Sequence, residues 1–436
     1  MRVSLLALGL ILLSFPAAAM SQAEGQSFDV VPCPVRTWTE DPPRIAPLPG
    51  ARVFTGRYDG GLYAIELPDN WNGELILWAH GNVNPNNPGG TVLRLQMPVL
   101  REHWVRNGFA WAASSYRCNG AITGVGLLDT MALRDLFFKF NGGRAASRVY
   151  LVGVSLGGRV TTLGLREFPS AFSGGLAQCP IGQETNDVRV AIAAAAEFIT
   201  GVRPTVPTIQ HDLTRMQQVL GKSPNYTDKG RQLASIQIEI TGGPRPFARE
   251  GLVSRFIDNI RFGITNTPDA IVRAATNTEM RYSIADGLGL TSTELNRRVT
   301  RKPAESQLRS RTGPFAETAL FDGQLTRPLL TIQGTGDLQV PVSQQQALKR
   351  AVMKAGNEHL LVQRLMRIPG HCQFSEAEQR RAFDDLVSWV RTGVRPEGDE
   401  VFGNLANAGL KFTDPIRPGD PGGLSIEKTG VRRAGL

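Results

Sequence analysis

The sequence predicts an α/β protein: a mostly parallel sheet with helices on both faces, interrupted by an inserted, mainly helical segment. Two observations carry this. Short apolar runs of strand length alternate with helix-length stretches over residues 74–178 and again over 328–392, the pattern of strands joined by right-handed helical crossovers. Between them, residues 185–318 show helix-like stretches and Gly/Pro-rich loops.

Taken in order, the chain opens with Met1-Arg2, an apolar run over 3–15 and small residues at 17–19. That is the pattern of a signal peptide over 1–23, cleaved after Ala19 or Ala23, and it is too short to span a bilayer. Residues 24–50 read as an extended arm, with six prolines between 31 and 50. A strand pair follows at 52–58 and 62–67 around Asp59-Gly60-Gly61, a strong turn signal. The run 74–79 (ELILWA) reads as a strand buried on both faces. Helical spacing over 92–106, closed by Asn107-Gly108, leads to a second buried strand at 109–114. The next helix starts at Thr123 or Asp129 and ends before 141–143.

A third central strand at 148–154, a helix at 158–168 and a fourth strand at 174–178 complete the first part of an α/β core placed at 51–184 and 319–395. The insertion, 185–318, carries helical patterns at 188–199, 213–220 and 269–276. Alternation then resumes with strand 328–333, helix 343–355, strand 360–368 and helix 375–392. Residues 396–436 are Gly/Pro/charged without periodicity, an irregular tail draped on the surface or frayed.

Of 436 residues, 41% are hydrophobic and 20% charged, which supplies a core and excludes disorder, collagen, coiled coil and a polytopic membrane protein. The formal charge is +9. The insertion holds 18 Lys/Arg against 13 Asp/Glu, more than half of that excess. These basic residues are dispersed and no recognised module accompanies them, so nucleic-acid binding is not expected. Arg297-Arg298 and Arg301-Lys302 read as a solvated face; lining an entrance, they would favour an acidic or aromatic-acid group in whatever binds there. Cys33, Cys118, Cys179 and Cys372 enter an oxidising compartment if the leader acts, giving two disulfides, with all three pairings open. No C-x-x-C occurs and the histidines are scattered, so neither metal nor cofactor is expected.

The sharpest motif is Gly153-Val154-Ser155-Leu156-Gly157-Gly158, between a strand and a helix. A serine on so tight a turn is exposed above the sheet edge, and only small neighbours allow the close approach. The helix start puts the backbone N–H of Leu156 where an oxyanion would form. A serine hydroxyl needs a base. Of five histidines, His80 follows a strand, His103 lies in a helix, His211 in the insertion, and His359 enters a strand from the wrong end. His371, in a loop after the last strand, stands at the right edge. The third member must be a carboxylate. Asp337 follows strand 328–333 directly, whereas the fallback, Asp322, precedes that strand and faces the opposite edge.

The serine elbow, His80-Gly81 after a central strand, Asp337 before Val340-Pro341 and the late His371 together resemble the α/β-hydrolase superfamily of serine esterases. That resemblance implies an insertion in the place of a cap, a structural His80, and an oxyanion hole built from Leu156 and Asn82. His371-Cys372 resembles one half of the motif of the tannase and feruloyl-esterase group, in which a disulfide ties a cysteine beside the histidine to one beside the serine; here Val154 stands at the second place. The corresponding bridge would then be Cys372–Cys179, leaving Cys33–Cys118 to hold the arm. The expected activity is that of a secreted or periplasmic serine hydrolase acting on a small-molecule carboxylic ester. The alternatives are a prolyl-type exopeptidase or an inactive binding protein of the same fold.

Overall fold

The computed structural model describes residues 30–266, 268–309 and 316–414, with the backbone of two short strands, Ile426–Glu427 and Gly430–Val431. The leader placed at 1–23 lies outside the described residues. Eight strands form the main sheet: β1 (Ala51–Tyr58), β2 (Gly61–Pro68), β3 (Glu74–Ala79), β4 (Ala110–Ser114), β5 (Arg148–Val154), β6 (Gly174–Gln178), β7 (Leu329–Gly334) and β8 (Leu361–Met366). Their spatial order is β8-β7-β6-β5-β3-β4-β2-β1. The β1–β2 hairpin and the β2–β4 pair are antiparallel, and the rest of the sheet is parallel. Asp59 and Gly60, both with positive φ, make the two-residue hairpin turn.

The helices are α1 (Arg101–Arg106), α2 (Thr123–Phe140), α3 (Leu156–Glu167), α4 (Gln183–Thr200), α5 (Ile209–Leu220), α6 (Asp228–Ile240), α7 (Ala248–Arg255), α8 (Asp258–Ile264), α9 (Ala270–Arg273), α10 (Ser292–Arg298), α11 (Val342–Lys354) and α12 (Glu376–Thr392). Alternation along β3 divides the core. Leu75 and Leu77 pack with Leu127 of α2, Leu163 of α3 and Leu348 of α11, while Ile76 and Trp78 pack with Trp104 of α1 and Phe383 and Leu386 of α12. Each central strand is therefore covered on both sides, which is why ELILWA carries no polar face. This strand order with helices on both faces is the α/β-hydrolase fold.

Helices α4 to α10 lie between β6 and β7 and build a third apolar core around Ile192, Ala195, Met216, Leu233 and Ile236. In this region the sequence patterns gave α4 and α5 approximately, and left α6, α7, α8 and α10 undrawn. The helix expected over 269–276 shrinks to the four residues of α9. Arg301 and Lys302 do not form a solvated face. Arg301 donates to the carbonyls of Asn277 (2.9 Å) and Met280 (2.6 Å), and Lys302 Nζ donates to that of Val272 (2.8 Å).

One further expectation is corrected. The helix read over 92–106 is only α1; Val92–Arg94 is a strand paired in parallel with Thr39–Asp41 of the arm. Pro98 supplies no N–H and disfavours helical backbone before it, so the helix starts after it. Residues 396–414 of the tail lie against the sheet. Val401 and Leu405 are buried with Val342 and Leu365, and the segment covers the outer edge of β8. Asp399 N–H donates to the Gln363 carbonyl (2.7 Å), its carboxylate accepts from Leu365 N–H (2.7 Å), and Thr413 Oγ1 accepts from Arg367 N–H (2.7 Å). Disulfides join Cys33 to Cys118 and Cys179 to Cys372, with Cα atoms 5.8 and 5.7 Å apart.

Candidate active site

Ser155 links β5 to α3 with φ 56° and ψ −111°, a backbone conformation that L-residues rarely adopt. The surrounding glycines make this turn possible. A Cβ at Gly157 would run into the Ala79 carbonyl, and one at Gly153 into that of Gly157. The turn is pinned by Ser155 N–H donating to the Gln178 carbonyl at 2.8 Å and by the Ser155 carbonyl accepting from Arg159 N–H at 3.1 Å.

The loop after β8 brings His371 over the serine, with Nε2 2.9 Å from Ser155 Oγ and Nδ1 2.7 Å from Asp337 Oδ2. Since the carboxylate can only accept, Nδ1 carries the proton and Nε2 accepts from the serine hydroxyl. Asp337 is 1% exposed, and four donors satisfy it. Oδ1 accepts from the N–H groups of Gln339 (2.9 Å) and Val340 (3.0 Å), and Oδ2 accepts from His371 and from Gln333 Nε2 (3.2 Å). Gln333 is in turn part of a buried chain: Gln345 Nε2 donates to its Oε1, and Gln345 Oε1 accepts from Thr331 Oγ1 and Gln363 Nε2. Sequence reasoning missed these glutamines. The available signal was an amide at the end of the apolar run PLLTIQ, where a polar side chain needs a buried partner.

The structure brings Ser155, His371 and Asp337 together across 216 and 34 residues of chain. Asp322 is elsewhere, accepting from Arg166 Nε at 3.0 Å. His80 stacks on Tyr116 with ring centroids 3.9 Å apart, and its Nδ1 lies 2.7 Å from the Gly81 carbonyl. Burial pushes its imidazole pKa down, so it stays neutral inside the sheet. His103 pairs with Asp384 on the surface. Gly81 adjoins the serine, where an added Cβ would lie 3.6 Å from Ser155 Cβ. Among the described residues, the N–H groups of Leu156 and Asn82 donate to no protein acceptor.

The Cys179–Cys372 bridge touches the imidazole, with Cys372 Sγ 3.2 Å from His371 Nε2. Cys179, Asp337, His371 and Cys372 present ligand-type atoms within 4.8 Å of one another. Their two sulfurs are bonded together, however, and the imidazole and carboxylate are committed to each other. That donor set offers no thiolate to a cation.

No protein-family model matches the chain, and no curated protein matches it. Among solved structures it is similar to feruloyl esterase B from Aspergillus oryzae, at 14% identity and a TM-score of 0.40 over 84% of this chain and 87% of that one. It is also similar to the esterase Pf2001 from Pyrococcus furiosus, at 13% identity and a TM-score of 0.37 over 84% and 98%. A third similar structure is the acylaminoacyl peptidase from Pyrococcus horikoshii, at 12% identity and a TM-score of 0.40 over 80% of this chain and 43% of that one.

Proposed function

We propose that the chain is an exported serine hydrolase that cleaves a small-molecule carboxylic ester through an acyl-enzyme. The observation that carries this reading is the pair of hydrogen bonds from Ser155 Oγ to His371 Nε2 and from His371 Nδ1 to Asp337 Oδ2. In the first half-reaction Ser155 Oγ attacks the acyl carbon as His371 Nε2 takes its proton. The oxyanion is stabilised by the free N–H groups of Leu156 and Asn82. Collapse expels the alcohol, protonated by His371. Water then attacks the acyl-serine with His371 as base, releasing the acid and restoring the hydroxyl. Asp337 holds one tautomer throughout and stabilises the imidazolium. Export is supported by the leader pattern together with the two disulfides.

A fluorophosphonate probe should label the protein at Ser155, and Ser155→Ala should lose both labelling and esterase activity. Retained hydrolysis by Ser155→Ala would remove the assignment. Substrate class is read from a p-nitrophenyl ester chain-length series run beside a hydroxycinnamate ester and a prolyl amide. Preferential cleavage of the amide would replace the esterase reading by a peptidase one.

A further inference from the structure

The loop that carries Asp337 is held as much by the helical insertion as by the sheet. Leu338, the residue after the acid, belongs to the apolar core of α4 to α10 rather than to either face of the sheet. A Cβ at Gly251 of α7 would collide with the Gly336 carbonyl, so α7 lies directly on the loop. Two buried arginines of the insertion grip the loop on either side of the acid. Arg245, between α6 and α7, donates from Nε to the Thr335 carbonyl at 2.6 Å. Arg189 of α4 donates from Nη2 to the Gln339 carbonyl at 2.8 Å.

Both guanidinium groups are anchored by their own segment. Arg245 also donates to the Gly243 carbonyl (2.7 Å) and Thr241 Oγ1 (3.3 Å), while Arg189 donates to Asn186 Oδ1 (3.0 Å) and lies 5.0 Å from the centre of the Phe262 ring. Among the described residues neither forms a direct ion pair with a carboxylate. Burial draws both pKa values down to about 10, against the opposing pull of the Asp337 charge, so both stay protonated at neutral pH. A buried cation bonded mainly to carbonyls is costly. The negative charge that acts on both is the one on Asp337, joined at Arg245 by Glu239 and opposed at Arg189 by the like charge of Arg255.

We infer that Arg189 and Arg245 are positioning residues for Asp337, so that the insertion fixes the acid loop and, through it, the orientation of His371. This rests on the Ser155–His371–Asp337 reading. It makes α4 and the segment around Arg245 a fixed part of the site, since swinging them away would unseat the acid. The fork matters as well as the charge, because a lysine ammonium cannot span the donors that Arg245 provides.

The test compares Arg245→Met, Arg245→Lys and Arg189→Met in the full chain. Active sites are counted with a fluorophosphonate probe, and the His371 Nδ1 proton is followed in the far-downfield NMR spectrum. Loosening the loop should lower kcat per labelled site by roughly 10- to 100-fold, leave KM within about twofold, and shift or broaden the downfield resonance in both Met variants. Arg245→Lys should recover part of kcat. Fewer labelled sites with unchanged kcat per site and an unchanged resonance would reduce the arginines to a structural role and overturn the inference. Should Arg245→Met fail to fold, Arg189→Met and Arg245→Lys give the same readouts. If wild-type Ser155 is not labelled at all, the reading of the site fails first and this inference with it.

Discussion

Asp337 accepts four hydrogen bonds while almost wholly buried, and one of its donors, Gln333, is itself fully buried. Replacing that amide by a shape-similar apolar side chain removes a bond to the oxygen that His371 uses. Gln333→Leu should therefore lower kcat by roughly tenfold with KM little changed, since a loosened carboxylate holds the imidazole less well. Steady-state kinetics at fixed pH decide it, and an unchanged kcat would show that backbone donors alone hold the acid. At this scale the sequence was informative where chemistry is tied to chain order. Ser155 announced itself by its glycines, and His371 and Asp337 by standing after the right strands. Gln333 left only the faint signal of an amide closing an apolar run, and Arg189 and Arg245 left none, because an isolated guanidinium has no spacing rule and the carbonyls that they reach on the acid loop are distant in sequence.

Among the elements, the eight strands of the main sheet were legible to within two residues because apolar runs between turn signals leave little room for another register, whereas the three-residue strands Thr39–Asp41 and Val92–Arg94 are too short to show a pattern. The helices of the insertion were harder. Their apolar stripes are short and broken by Gly and Pro, and α9 has only four residues. One consequence of how these helices pack is measurable. Asp187 on α4 pairs with Arg309 (2.7 Å) and accepts from Thr276 N–H (2.9 Å), yet burial raises its pKa from 3.8 to about 6, outweighing the stabilising partners. The folded state thus binds the proton more tightly than the unfolded chain. The stability this group contributes is fully present below about pH 4 and is lost as pH rises through about 6. Between those values the wild type should lose up to about 3 kcal/mol relative to Asp187→Asn, read as diverging urea midpoints. Parallel pH dependence of the two proteins would contradict it.

At the scale of the whole molecule, two cross-links close separate stretches of chain, spanning 85 and 193 residues. Loop-closure entropy gives them about 4.5 and about 5 kcal/mol as upper estimates. Their functional consequences should differ. Cys33→Ala with Cys118→Ala should lose stability and keep kcat, since that bridge holds the arm. Cys179→Ala with Cys372→Ala should lose stability and also kcat, because that bridge touches His371. Calorimetry beside esterase kinetics separates the two effects, and equal kcat in both double variants would contradict the distinction. Spacing alone left all three pairings open, since connectivity depends on where β6 and the loop after β8 come to lie.

The tail laid along β8 has a bearing on solubility. A sheet can recruit further copies into a fibre only if both of its outermost strands offer unsatisfied amides, one to receive and one to pass on the addition. Here one border is sealed by Asp399 and Thr413, so strand-to-strand recruitment through β1 would stop at a closed pair of molecules.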